Sequence, residues 1–161
     1  MEGIVHQIHV KPKTLNHRGM PKISVDYARV LHSGMVGDFN VYRQEKLSGT
    51  LDKALLLMPL EMIESLNGEG WPIKPGDIGE NITTHGIQYG DFSPGQRYDI
   101  GEIEIKISET CAPCGSLKLL PYVGENKKVE FVKIMLDRRG WYAEVLREGR
   151  INVGDLIKRI E

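Results

Sequence analysis

Short strands dominate this sequence, which reads as a mainly β protein: a closed or nearly closed barrel with two or three short helices. Glycine and proline, 18 and 8 of the 161 residues, break the chain at short intervals. Between the breaks lie stretches that alternate apolar and polar residues, the periodicity of half-buried strands. Many short strands in one unit favour closure, because a closed sheet leaves no unpaired edge. With 40% hydrophobic residues the chain can bury a substantial core, and its length suits one domain over residues 1–161.

Gly3–Val10 and Ile23–Leu31 alternate and are expected as strands. Ala54–Met58 is continuously apolar, as in a strand buried on both faces. Pro59–Asn67 follows as a helix, with proline in its first turn, Leu60, Ile63 and Leu66 at three-residue spacing, and Gly68 as its stop. Arg97–Ile100 and Ile103–Ile107 flank the two-residue connection Gly101-Glu102 and predict a tight hairpin. Lys127–Arg139 predicts a second helix, with Val129, Val132 and Leu136 on one apolar stripe and Gly140 beyond its end. Trp141–Arg147 and Ile151–Ile160 repeat the strand pattern around Glu148-Gly149. The pair Gly-Asp recurs at residues 37, 76, 90 and 154, each beside a strand end, at the irregular spacing of turns rather than of a repeat. The helix pair is expected to cover one barrel opening.

Charge excludes several function classes. The 21 Lys and Arg nearly cancel the 22 Asp and Glu, without a long run of either sign, so nothing here attracts nucleic acid or an anionic membrane. The N-terminus lacks the basic and apolar regions of a signal peptide, and the longest apolar run, Ala54–Leu60, is far short of the roughly 20 residues that span a bilayer. Two cysteines three positions apart do not make a secreted disulfide scaffold. A soluble cytoplasmic protein is the expectation.

Chemistry concentrates in two places. In Cys111-Ala112-Pro113-Cys114 a structural zinc site lacks its other ligands, since no second cysteine pair exists and the five histidines are scattered. A thioredoxin-like dithiol needs a helix after its first cysteine, and Pro121 limits any such helix to about one turn. Two readings stay open. Cys114 is a reactive thiol, able to carry a persulfide or to bind a soft metal such as molybdenum; or both cysteines are small buried hydrophobes. Composition favours the second, whereas Pro113 and Gly115 place the thiol on a turn and favour the first. The second concentration is Asp77–Ile87, where Gly79, Glu80, Asn81, Thr83 and Thr84 offer donors and acceptors to a polar ligand but also suit an ordinary loop. His6 and His9, at an odd offset on a strand, point to opposite faces. Arg138, Arg139, Arg147 and Arg150 read as solvated charges at a helix end and a turn.

Taken together, the opening Gly3-Ile4-Val5, Gly34–Asp38, Ala54–Met58 with its helix, Gly79–Thr84 with Gly86-Ile87, Gly95, Ile100-Gly101, Pro113-Cys114 with Leu117, Arg139–Tyr142, Val145-Leu146, Gly149 and Val153–Asp155 resemble the MOSC domain, in its small stand-alone bacterial form. The resemblance implies a barrel similar to the small domain of pyruvate kinase, and a pocket that handles the molybdenum cofactor or sulfur destined for it. It places the functional thiol on Cys114, as persulfide carrier or molybdenum ligand, and makes Gly79, Glu80, Asn81, Thr83 and Thr84 candidates for binding the molybdopterin. The implied partner is a pyridoxal-phosphate-dependent cysteine desulfurase or a molybdoenzyme. Pyridoxal phosphate is expected in that partner, because no lysine here stands out as a Schiff-base former.

Two departures accompany the likeness. Many relatives carry arginine where this chain has Cys111, and an Arg-Gln pair where it has Asp52-Lys53. Lost guanidinium forks weaken phosphate binding, for which Lys53 or Arg43 are the candidate substitutes. Sulfur transfer through Cys114 is therefore the leading expectation. The alternatives are a molybdenum-dependent reductase of N-hydroxylated compounds and a non-catalytic module that binds the pterin cofactor.

Overall fold

Alternation at the N-terminus produces β1 (Glu2–Val10), with Val5 and Ile8 fully buried, in the computed structural model, which describes residues 2–11, 20–39 and 51–160. The expected Ile23–Leu31 strand is broken at Asp26 into β2 (Ile23–Val25) and β3 (Tyr27–Leu31), and β4 (Gly34–Met35) follows. β5 (Leu55–Pro59) is buried along its whole length, as a continuous apolar run requires. Pro59 is the N-cap of α1 (Leu60–Gly68) rather than a residue of its first turn. Then come β6 (Ile82–His85), β7 (Arg97–Ile100), β8 (Ile103–Thr110), α2 (Gly124–Ile134), β9 (Trp141–Arg147), β10 (Gly149–Asn152) and β11 (Leu156–Arg159).

Seven of these strands close into a barrel in the order β1, β11, β7, β8, β9, β5, β6 and back to β1. β5 and β6 run parallel, and the connection between them carries α1, as parallel neighbours require a long crossover. The Gly101-Glu102 hairpin forms as expected, pairing Ile100 with Ile103. No hairpin forms around Glu148-Gly149. Instead β10 leaves the barrel to pair with β3, and β11 returns to close it between β1 and β7. Residues on either side of a two-residue break look like hairpin arms in sequence, but long-range pairing decides where each strand docks.

Two large apolar clusters and a small third one, of Leu56, Cys111 and Tyr142, form among the described residues. The barrel interior is lined by residues such as Val5, Leu57, Ile82, Tyr98, Ile105, Ala143 and Ile157. Beyond Met58, at the end of β5, a second cluster joins Ile63 and Leu66 of α1 to Trp71, Ile78, Leu117, Phe131 and Met135, with Trp71 meeting Phe131 edge-on at 4.7 Å. The helix pair is thus present. α2 begins three residues before, and ends five before, the expected bounds, and of its predicted apolar stripe only Val132 packs, partly buried, against the core. Phe131 and Met135 take the buried side, while Val129 and Leu136 are 63% and 58% exposed. Gly37-Asp38 and Gly154-Asp155 lie at turns beside strand ends, whereas Gly76-Asp77 lies in a turn apart from any strand and Gly90-Asp91 in a short 3₁₀ helix. At Asp77, Asp91 and Asp155 the carboxylate accepts the backbone N–H three residues earlier.

One glycine governs the approach of β9 to β5. Gly140 has φ +114°, and a Cβ there would sit 2.6 Å from the Leu57 carbonyl oxygen. Gly140→Ala is expected to destabilise the protein by about 2 kcal/mol or more in urea unfolding. Gly68→Ala, where nothing lies within 4 Å of the added carbon, is expected to be neutral or slightly stabilising.

Candidate functional site

The end of the β8–β9 ladder sets the position of the thiol. Thr110 pairs with Trp141, and the Cys111 N–H donates to the Gly140 carbonyl at 2.8 Å. The chain from Cys111 to Cys114 therefore runs directly past Arg139. Cys114 is extended (φ −138°, ψ 169°), and a short 3₁₀ turn, Gly115–Leu119, follows it. The turn is as brief as Pro121 dictates.

Arg139 is 6% exposed and Cys114 is exposed, so the thiol stands at the surface on a buried cation. One Nη donates to Cys114 Sγ at 3.3 Å and to the Ala112 carbonyl at 3.3 Å; the other donates to the Ile78 carbonyl at 3.3 Å. The Ser116 hydroxyl lies 2.7 Å from the same sulfur. Partial burial works against ionisation of Cys114, but the Arg139 charge and the Ser116 hydroxyl outweigh it and hold the thiol below its ordinary range. Arg139 is thus not a solvated helix-end charge. The helix stops at Ile134, and the positive-φ residues Asp137 and Gly140 turn Arg139 inward. Arg139 is thus a candidate site residue that its position just beyond a helix did not suggest, although it opens the Arg139–Tyr142 stretch.

The two cysteines differ sharply. Cys111 is buried and packs with Leu56 and Tyr142, its sulfur 3.4 Å from the Tyr142 hydroxyl. Lys53 lies over that tyrosine, 5.8 Å from the ring centroid, and is ion-paired with Glu109 and, at 3.7 Å, with Asp52. Glu109 raises the Lys53 pKa and keeps it cationic. Cys114, Arg139, Cys111, Tyr142 and Lys53 therefore form one chain of neighbours.

The second concentration is not a single loop, since Ile82–His85 is strand β6. Thr83 and Thr84 are wholly buried, and Gly79 takes φ +91°. Asn81 ties the framework together: its Oδ1 accepts the Leu56 N–H at 3.0 Å, and its amide donates to Asp38 at 2.9 Å. Asp38 in turn holds buried Lys22 at 2.6 Å. Glu80 is fully buried; its Oε2 accepts from the Thr83 hydroxyl at 3.1 Å, and its Oε1 has no hydrogen-bond partner among the described residues. The segment leading into them reaches Arg139 through the Ile78 carbonyl. Arg43 lies outside the described residues. His9 is buried and neutral, with burial lowering its pKa to about 4, while Arg147 and Arg150 are surface residues, Arg147 paired with Asp99 and Glu104 and Arg150 stacked on Tyr27.

Comparison with known proteins adds the lineage. The family model described as the MOSC domain matches residues 44–158. The chain belongs to the MOSC domain family. Among solved structures, this MOSC domain resembles the YuaD protein from Bacillus subtilis with a TM-score of 0.80 at 20% identity, covering 99% of this chain and 96% of that one. It also resembles YiiM from Geobacillus stearothermophilus (TM-score 0.73, 24% identity, 99% and 75% covered) and YiiM from Escherichia coli (0.71, 20%, 100% and 70%). No curated protein matches. At these identities the likeness shows the barrel. The MOSC family is associated with the molybdenum cofactor. The donor set here fits such a group: an exposed soft thiol, and a buried guanidinium whose Nε–H has no partner among the described residues. Among those residues no three His, Cys, Asp or Glu side chains form a metal cage, and no helix is long and apolar enough to cross a membrane.

Two measurements check these electrostatics. Arg139→Gln is expected to move the midpoint of Cys114 alkylation by iodoacetamide to higher pH, because the cation that favours thiolate is gone. Burial raises the Glu80 pKa from 4.5 to about 7, so the folded state keeps a proton that the unfolded chain has lost. Its favourable contribution is complete below about pH 4.5 and vanishes as pH rises through about 7. Relative to wild type, Glu80→Gln should therefore gain unfolding free energy across that interval.

Proposed function

We propose that this protein is a sulfur carrier in molybdenum-cofactor metabolism, with Cys114 as the atom that accepts and passes on sulfur. The observation that carries the reading is the Arg139–Cys114 contact: an exposed thiol whose ionised form is stabilised by a buried guanidinium and a hydroxyl. Such a sulfur has a larger thiolate fraction than an ordinary cysteine at the same pH, and it is reachable by a second protein.

The loading step balances without an external oxidant. Cys114 thiolate attacks the terminal sulfur of a donor persulfide, of the kind formed on a pyridoxal-phosphate-dependent cysteine desulfurase. A new S–S bond forms on Cys114, the donor S–S bond breaks, and the donor leaves as a thiolate. The terminal sulfur stays at the same oxidation level throughout. Arg139 then faces a persulfide anion in place of a thiolate, and Ser116 remains within reach as a hydrogen-bond donor. Discharge repeats the exchange, with an acceptor thiolate attacking the outer sulfur and Cys114 leaving as thiolate.

If the cofactor docks here, Cys114 is the residue to meet its metal, with Arg139 as the cation in contact with that sulfur and Lys53 as a further candidate for its anionic groups. The bound group would supply the sulfur-accepting metal centre. In that docking Arg139 would favour the anionic form of the sulfur. A second use of the same thiol, as a lasting molybdenum ligand in a reductase of N-hydroxylated compounds, is favoured by the same soft donor.

Intact-mass measurement after incubation with a charged cysteine desulfurase tests the proposal. Wild type is expected to gain about 32 Da, one sulfur atom, removable by dithiothreitol and absent from Cys114→Ser. No adduct, or one that survives Cys114→Ser, overturns the carrier reading. Molybdenum retained by wild type and lost from Cys114→Ser, without a sulfur adduct, moves the assignment to metal ligation.

A further inference from the structure

Sulfur transfer through Cys114 leaves Cys111 unused, although its thiol is the second nucleophile of the site and no disulfide joins the two. Three contacts connect the sulfurs through one guanidinium. Cys111 Sγ lies 3.7 Å from the Ala112 carbonyl oxygen, which accepts from an Arg139 Nη at 3.3 Å, and the same nitrogen donates to Cys114 Sγ at 3.3 Å. Both cysteines favour the charged form of that arginine.

Burial divides the two thiols by what can reach them. Cys111 is enclosed with Leu56 and Tyr142, so a sulfur donor meets only the exposed Cys114. The Cys111 S–H has an acceptor in the Tyr142 hydroxyl at 3.4 Å. Three peptide units link the cysteines, a reach of about 10 Å even when fully extended, whereas a disulfide needs Cα atoms within about 7 Å. Ala112–Cys114 belongs to no helix or strand, and a Cβ built on Gly115 would meet only Lys128 Cδ, at 3.9 Å, so the segment has room to close that difference.

We propose that Cys111 is the resolving thiol of this site, which attacks Cys114 Sγ of the persulfide and releases the outer sulfur as hydrosulfide. This rests on the reading of Cys114 as a sulfur acceptor. The proton of Cys111 moves to the outer sulfur, so that a thiolate attacks and hydrosulfide is the leaving group. A Cys111–Cys114 bond forms while the bond from Cys114 to the outer sulfur breaks, and hydrosulfide departs with that bond's electron pair. The outer sulfur is reduced to sulfide, and the two cysteine sulfurs are oxidised to a disulfide. Attack runs in line with the breaking bond, so a nucleophile on the buried side expels the outer sulfur toward solvent. A dithiol reductant then returns both cysteines to thiols.

Anaerobic charging with glutathione persulfide, followed by removal of the donor without added reductant, separates the roles of the two thiols. Wild type is expected to lose its adduct of about 32 Da while about one sulfide per chain appears in solution. The tryptic peptide Ile107–Lys118, which holds both cysteines, should end about 2 Da lighter than its reduced form, the loss of two hydrogens to a disulfide. Cys111→Ala should keep its adduct and release sulfide at least about tenfold more slowly, because the tethered nucleophile is gone. Cys111→Ser, with a side chain of similar size, should behave alike and so tie the effect to the sulfur. Equal decay in wild type and both variants, or decay of wild type without the lighter peptide, overturns the resolving role while charging of Cys114 stands. Failure of wild type and both variants to gain any adduct overturns the carrier reading, and the resolving role with it.

Discussion

A buried guanidinium against an exposed thiol is the constraint on which the site depends. Arg139 loses most of its hydration, and a buried cation is tolerated only when hydrogen bonds and a negative partner replace the water. The Ala112 and Ile78 carbonyls supply two of those bonds, and the Cys114 sulfur accepts a third. The guanidinium charge favours the thiolate form of Cys114 against the opposing effect of its partial burial, and that form in turn favours the buried cation.

The barrel fixes that pair from both sides. The β8–β9 ladder sets the cysteine segment beside Arg139, and Gly140 lets β9 begin where any side chain would strike β5. From the other side, the Ile78 carbonyl belongs to the segment that leads into β6. Asn81 anchors that segment to Leu56 and, through Asp38, to Lys22. Glu80, Thr83 and Thr84 of the same segment are fully buried, with the Thr83 hydroxyl donating to Glu80.

Local patterns made most of the barrel legible in sequence. β1, β5, the β7–β8 hairpin and β9 follow directly from alternation, apolar runs and turn residues. Register was less legible: β10 pairs with β3 rather than with β9, because pairing partners are chosen by burial at long range and leave little local trace. The α2 stripe shows a similar limit. Periodicity identifies which residues share a face, but the position of Phe131 and Met135 against Trp71 and Leu117 decides which face is inside. At the site, Cys114 was visible from its turn-forming neighbours. Arg139 was hidden, because a basic residue just beyond a helix has an ordinary explanation in the helix dipole, and only the backbone reversal at Asp137 and Gly140 reveals that it points inward.

The seam between β1 and β11 also bears on how the molecule assembles. Gly3 pairs with Ile157, so β1, which also pairs with β2 and β6, finds its third partner far along the chain in β11. During synthesis the ring stays open until β11 has left the ribosome. The large loop this contact closes places the protein among topologies that fold slowly. Until then the Glu2–Ile4 end of β1 and one edge of β7 lack that partner, and a nascent chain in that state is vulnerable to strand-mediated association with its neighbours.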